Sequence, residues 1–238
     1  MSTKYFILSK PKNTNISDNN QNQIICLNTD SEIHILPKIN IGYYVNNGLF
    51  ESGLIEWCKQ FCNIEKNVLD IGAHSGTYSI SLAGVSKMVY AFEPQKMTYY
   101  ALCGSVALSG IENIDCYKMG LGSGEQVGTQ CLKIVSNDGG GSSLHSTSGI
   151  LREESIEIIT LDSLELSNIG FIKMDVEENE AFVLHGGINT LARSGYPPIL
   201  FESNGENPGL FGFIRMIGYN IITVGGCNNM YLACDHRS

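Results

Sequence analysis

The stretch Val68-Leu69-Asp70-Ile71-Gly72-Ala73-His74-Ser75-Gly76 decides the fold of this chain. Its apolar start reads as a buried strand over 67–71, and Gly72 ends that strand in a turn. Without a Cβ, Gly72 lets the chain turn tightly and lets a ligand approach the backbone. Gly76 opens a helix over 76–84, whose first N–H groups favour an anion such as a carboxylate. The pattern is Asp-x-Gly-x-x-x-Gly. It is neither the Gly-x-Gly-x-x-Gly of dinucleotide sites nor a phosphate loop, which needs Gly-Lys followed by Ser or Thr. Ligands of open α/β sheets bind at the carboxyl ends of the strands, near the switch in strand order. Asp70, Gly72, His74, Ser75, Gly76 and Thr77 are therefore candidate ligand-binding residues.

Strands and helices alternate outward from this loop. Strands are expected over 88–92, 114–119, 156–160, 171–174 and 198–201, and helices over 76–84 and 97–108, the second capped by Gly110. Ala181, Leu184, Ile188 and Leu191 mark one face of a further helix, and Leu210, Phe213, Ile214 and Ile217 mark the last, with Pro208 near its start. Segment 136–143 is a glycine-rich break between hairpin strands, and a short helix follows over 161–166. This order predicts a mainly parallel sheet covered on both faces. Two closing strands, 220–224 and 230–233, lie close enough to form a hairpin and to place one antiparallel strand in the sheet. Before the loop, a polar arm at 11–22 follows a short first strand and precedes hairpin strands over 24–27 and 32–36, and a lead-in helix runs from Phe50 to Phe61. Residues 1–66 read as an extension packed on an α/β core at 67–238, one globular domain overall.

Glu93 adds the second element of the site. It ends the strand over 88–92, about 20 residues downstream of the loop, where such folds place the acid that binds ribose hydroxyls. One carboxylate can accept both hydroxyl protons. Met119 and Gly120, ending the next strand, fall where a base would lie, with Met119 as a soft apolar contact.

The chain has 238 residues and a formal net charge of −9, with 43% hydrophobic and 16% charged residues. That is a globular composition. The acidic balance and the absence of a basic patch argue against long nucleic acids as partners. No apolar run reaches membrane length, and the N-terminal apolar run is too short for a signal peptide. The eight cysteines contain no Cys-x-x-Cys pair, which argues against a zinc knuckle; free thiols suit a cytoplasmic setting. Nothing in the sequence sets an oligomeric state.

Further motifs follow in order: Ala91-Phe92-Glu93-Pro94, Thr160-Leu161-Asp162-Ser163-Leu164, Ile172-Lys173-Met174-Asp175-Val176-Glu177, Val183-Leu184-His185-Gly186, Ile199-Leu200-Phe201-Glu202 and Gly218-Tyr219. Together with the loop, they resemble the successive motifs of the FkbM-type S-adenosylmethionine-dependent methyltransferases, from about Asn67 to the C-terminus. The resemblance implies a three-layer, Rossmann-like class I methyltransferase fold, S-adenosylmethionine as donor and a hydroxyl oxygen as acceptor, on a small molecule or glycan. Two residues depart from the family pattern. His74 stands where the family commonly has Asn, and Glu178 stands where it usually has Gly. Phe50-Glu51-Ser52-Gly53 fits the family's lead-in, with Glu51 near the cofactor's amino group or simply at a helix start.

Methyl transfer to an alcohol needs alignment of acceptor, methyl and sulfur, and a base to take the hydroxyl proton. Asp175, Glu177 and Glu202, at neighbouring strand ends, are the candidate catalytic residues, with Asp175 or Glu177 as base or acceptor anchor. Asp175 also has the alternative role of capping the helix expected near Glu177, and Asp162 that of a helix cap. His74 is a second candidate base or a residue that shapes the loop. Asp175, Glu202 and Asn204 are hard oxygen ligands suited to Mg²⁺ or Ca²⁺, a metal the resemblance does not require. Two alternatives stay open. An RNA cap ribose methyltransferase would need a lysine-rich tetrad and a basic groove, and neither assembles here. A non-catalytic cofactor-binding protein is kept open by Glu178.

Overall fold

The computed structural model describes residues 4–9, 23–28, 32–36, 47–136 and 138–235. The arm expected over 11–22 lies outside them. Strands β1 (Lys4–Ser9), β2 (Gln23–Asn28) and β3 (Ile33–Leu36) form an antiparallel sheet. Then come α1 (Ser52–Cys58), β4 (Asn67–Ile71), α2 (Thr77–Ala83), β5 (Val89–Phe92), α3 (Lys96–Ser109) and β6 (Ile114–Tyr117). A small sheet of β7 (Gly120–Leu121), β8 (Gly128–Ile134) and β9 (Arg152–Ile159) interrupts the alternation. It resumes with β10 (Ile169–Met174), α4 (Glu180–His185), α5 (Ile188–Arg193), β11 (Ile199–Glu202) and α6 (Pro208–Met216), and closes with β12 (Tyr219–Thr223) and β13 (Met230–Asp235).

The main sheet runs β12-β13-β11-β10-β4-β5-β6. β4, β5, β6, β10 and β11 are parallel, and the closing hairpin places an antiparallel strand in the sheet as expected: β13 inserts between β11 and β12, antiparallel to both. The chain runs outward from β4 to β6 and then returns to β10 on the other side of β4. The loop after β4 therefore sits at the switch in strand order, where ligands bind.

The period of two along each strand assigns the faces. Leu69, Ile71, Ile172, Met174, Ile199 and Phe201 pack with Val183, Leu191, Leu210 and Ile214 of α4, α5 and α6. Val68, Ala91, Phe171 and Leu200 pack with Leu54 of α1, Ile80 of α2 and Leu102 of α3. By the same period, Asp70, Lys173 and Glu202 face the α1–α3 side. The N-terminal sheet joins that side through α3, where Ser105 and Ser109 hydroxyls accept from the Ile35 and Ile33 N–H groups, each at 2.8 Å.

Three local expectations need correction, and a fourth, Asp162 as a helix cap, holds. The helix through Ala181 and Leu191 is two helices, because Gly186 and Gly187 break it where the chain passes Gly122; a Cβ on Gly186 would fall 2.0 Å from the Gly122 carbonyl oxygen. The strand over 114–119 ends at Tyr117, since β6 is an edge strand and the chain peels off to pair Gly120–Leu121 with β9. Asp175 caps no helix: α4 starts only at Glu180, after Asn179. Asp162 caps at a distance. Its carboxylate accepts from the Asn189 and Thr190 N–H groups in the first turn of α5, at 3.1 and 2.7 Å, while Thr160 caps its own short helix. The caps at Gly110 and at Pro208 are where they were expected, and Asn207 Oδ1 accepts from Gly209 and Leu210 N–H.

Candidate active site

A cleft of about 770 Å³ opens at the carboxyl ends of the central strands. Gly72 builds its floor. It has φ 78°, and a Cβ there would lie 1.8 Å from the Asp175 carbonyl oxygen, so only glycine lets the β4 and β10 ends lie this close. Hydrogen bonds lock the same crossing: Gly72 and Ala73 N–H donate to the Phe92 carbonyl, and Asp175 N–H to Ile71. Gly72, His74, Ser75, Thr77, Glu93, Met119 and Gly120 all line the cleft. Asp70 and Gly76 stand behind it. Asp70 is fully buried and accepts from the Ser79 hydroxyl, while Gly76 turns the chain into α2 at φ 91°. Neither lines the cleft.

Glu93 is buried at the cleft wall and held by three donors. Its Oε2 accepts from His74 N–H at 2.8 Å; its Oε1 accepts from Gln95 N–H at 2.8 Å and from the Thr98 hydroxyl at 2.9 Å. A carboxylate has about four acceptor positions, so roughly one is left, on Oε2. Burial raises the Glu93 pKa, and His74 and the N–H donors oppose the rise.

Lys173 went unassigned in the sequence reading. It lies opposite Asp70 in the β4–β10 register, 5% exposed, and donates to the Gly72 carbonyl at 2.7 Å. Its ammonium is 3.6 Å from Asp70 and 3.7 Å from Asp175 and sits over the Tyr78 ring. Burial works to lower its pKa, but Asp175, Asp70 and Glu51 outweigh that and raise it. The available signal was a lysine between Ile172 and Met174 in an otherwise apolar strand, since a buried charge requires a partner. Tyr78, also missed, donates its hydroxyl to Glu51 at 2.7 Å. Glu51 thus does more than start a helix, because it also lines the cleft.

Asp175, Glu177 and Glu202 all line the cleft and lie near enough to act on one another electrostatically. The Glu202 pKa is pushed up to about 8 by burial first, then by Asp175 and Glu177, and by a hydrogen bond with Asp175. Burial and Asp175 also raise Glu177, against the Gly141 N–H that donates to it at 2.9 Å. Glu178 is exposed and outside the cleft lining. It has φ 74°, which accounts for a glycine being usual at that place in the family, and from outside the cleft its charge adds to the rise at Glu177. Asn204 pairs with Asn229 at 3.4 Å, and among the described residues no three His, Cys, Asp or Glu side chains group to hold a metal.

The glycine-rich segment forms another wall of the cleft. Asp138 to Leu144 line it, and the Ser143 hydroxyl donates to the Glu177 carbonyl at 2.7 Å. His145 stands behind it, with Nε2 3.2 Å from Asn179 Oδ1 and its ring stacked on Phe182. His185 stacks on Phe213 on the far helical face.

Comparison with known proteins gives a consistent result. The family model described as the methyltransferase FkbM domain matches residues 70–220, well over half of the chain. Among curated proteins, none matches. Among solved structures, the chain is similar to a methyltransferase FkbM from Methylobacillus flagellatus KT, at 19% identity and a TM-score of 0.52, covering 78% of this chain and 46% of that one. This chain therefore spans about half the length of that relative, and the likeness is one of fold. An rRNA methylase from Streptococcus thermophilus aligns at 16% identity and a TM-score of 0.48, over 76% of this chain and 92% of that one. A precorrin-6y C5,15-methyltransferase from Geobacter metallireducens GS-15 aligns at 10% identity and a TM-score of 0.49, over 78% and 86%.

Proposed function

This chain belongs to the methyltransferase FkbM domain family, and from that premise we propose that it transfers a methyl group from S-adenosylmethionine to a hydroxyl oxygen of a small molecule or glycan. The observation that carries the reading is Glu93. Three protein donors orient its carboxylate at the end of β5 and leave about one acceptor position beside the glycine loop, as a ribose hydroxyl requires. The cleft volume of about 770 Å³ is within the ordinary range for a cofactor pocket.

Electrostatics support the same donor and limit the acceptor. The described lining carries six acidic side chains, Glu51, Glu93, Asp138, Asp175, Glu177 and Glu202, the last mostly neutral at pH 7 because its pKa is pushed up to about 8, against the one ammonium of Lys173. A sulfonium and an α-amino group are favoured in that field, and a phosphate-bearing acceptor such as capped RNA is repelled. When bound, the cofactor supplies an activated methyl carbon. The chain's own residues then hold the acceptor in line and take its proton. Asp175 is the residue we assign to that role, with Glu177 or Glu202 anchoring the acceptor. Lys173 holds Asp175 and the Gly72 carbonyl in one arrangement, which restricts where the base can sit.

Residues 1–66 act in this reading as an extension of the same domain, since Leu36, Phe50 and Glu51 line the cleft. No helix among the described residues is long and apolar enough to cross a membrane. The free cysteines at 58, 62, 103, 116, 131, 227 and 234 suit a cytoplasmic location. The test is release of S-adenosylhomocysteine across a panel of free sugars, glycosides, small alcohols and capped RNA. Release with a hydroxyl compound supports the proposal; release with capped RNA alone, or with none of them despite cofactor binding, contradicts it.

A further inference from the structure

We infer that His74, the residue by which this chain departs from its family's loop, is a positioning residue that fastens the 138–144 segment across the cofactor cleft and so sets how fast the cofactor exchanges. The inference rests on the cofactor reading above.

The backbone of His74 is committed first. Its φ of 50° is left-handed, and its N–H donates to Glu93, so the ring is aimed away from the turn and across the cleft. There Nε2 lies 2.8 Å from the Asp138 carbonyl oxygen. A carbonyl only accepts, so Nε2 carries the hydrogen. In the neutral ring Nδ1 is then the acceptor, and the Ser75 hydroxyl lies 3.3 Å from it. Both ring nitrogens thus have defined partners.

The segment is held differently at its two ends. At the far end, Ser143 exchanges backbone hydrogen bonds with Lys133 of β8, and Glu177 receives Gly141 N–H and the Ser143 hydroxyl. At the near end the His74 ring joins Asp138 to the glycine loop. Between them Gly139, at φ 92°, lies against the residues that orient Glu93; a Cβ there would fall 2.5 Å from Thr98 Cγ2 and 2.9 Å from Gln95 Oε1. One chain of contacts therefore runs from Glu93 through His74 to the segment and on to Glu177 at the acceptor side. Opening the near end breaks the His74 bond and leaves the far-end anchors in place.

An asparagine at 74 would suit the left-handed backbone. Its amide ends near the place of Nδ1, however, short of Asp138. Glutamine carries its amide nitrogen about as far as Nε2. The experiment compares wild type with His74→Ala, His74→Asn and His74→Gln. Two readouts are taken on the intact protein: amide hydrogen exchange over 138–144 without ligand, and the dissociation rate of S-adenosylhomocysteine. Loss of one hydrogen bond should speed both by about three- to tenfold in the Ala and Asn variants, with Gln restoring most of the wild-type rate. A role confined to folding would lower thermal stability without separating Asn from Gln. Wild-type exchange over 138–144 in both His74→Ala and His74→Asn would overturn the inference. Failure of the wild type to bind S-adenosylhomocysteine would instead overturn the cofactor reading, and the exchange data on free protein would still decide the role of His74.

Discussion

Asp70 and Lys173 face each other across adjacent parallel strands, 3.6 Å apart and both buried. The pair ties the start of the glycine loop to the strand end that carries Asp175. Removing the ammonium leaves Asp70 buried beside no cation and frees the Gly72 carbonyl. Lys173→Met should therefore cost about 3–5 kcal/mol, read as a lowered urea midpoint at unchanged slope. A midpoint equal to wild type would show that the pair is not needed for stability.

Two glycines separate strain from crowding. Gly72→Ala adds a Cβ 1.8 Å from the Asp175 carbonyl oxygen at φ 78°, whereas Gly110→Ala meets nothing within 4 Å at φ 64°. Gly110→Ala should cost only the left-handed penalty of about 1–2 kcal/mol. Gly72→Ala should exceed it clearly and should also weaken cofactor binding. Equal thermal shifts for the two variants would contradict the close approach of the loops.

The acidic side predicts a pH dependence. Burial first, and neighbouring acids after it, push Glu202 up to about 8 and Glu180 up to about 7. An unfolded Glu titrates near 4.3. Raised carboxyl groups favour the folded state fully below that value, and the contribution is lost as pH rises through 7 to 8. The melting temperature should fall between pH 6 and pH 9, and Glu202→Gln should fall less steeply. Parallel pH profiles would remove Glu202 as a cause.

The proposed base makes a kinetic prediction. Asp175→Asn keeps the shape of the side chain but cannot take a proton. Turnover should drop by about 10²-fold or more, with S-adenosylmethionine affinity within a few-fold of wild type. Retained turnover, measured as S-adenosylhomocysteine release, would exclude Asp175 from that role.

The parts legible in the sequence were those with a local cause. The loop was readable because Gly72 and Gly76 mark positive-φ positions that favour glycine, and the order of β4 to β6 followed from alternating strands and helices. The hairpin of β12 and β13 followed from its short connection, though sequence could not say that β13 would lie inside it. The function of Lys173 depends on register between β4 and β10, and that of Asp162 on α5, 27 residues away. Such pairings are set by tertiary packing and leave no trace in spacing. Glu178 is exposed and stands in the left-handed region, a backbone conformation that spacing alone does not reveal.

The most direct test of the account is calorimetric titration of wild type and Glu93→Ala with S-adenosylmethionine and with NAD. The account predicts that wild type binds S-adenosylmethionine and not NAD, and that Glu93→Ala binds it about tenfold more weakly or worse, the loss expected for a charge-assisted hydrogen bond. Wild type that binds neither ligand, or that binds S-adenosylmethionine equally well without the Glu93 carboxylate, would contradict it.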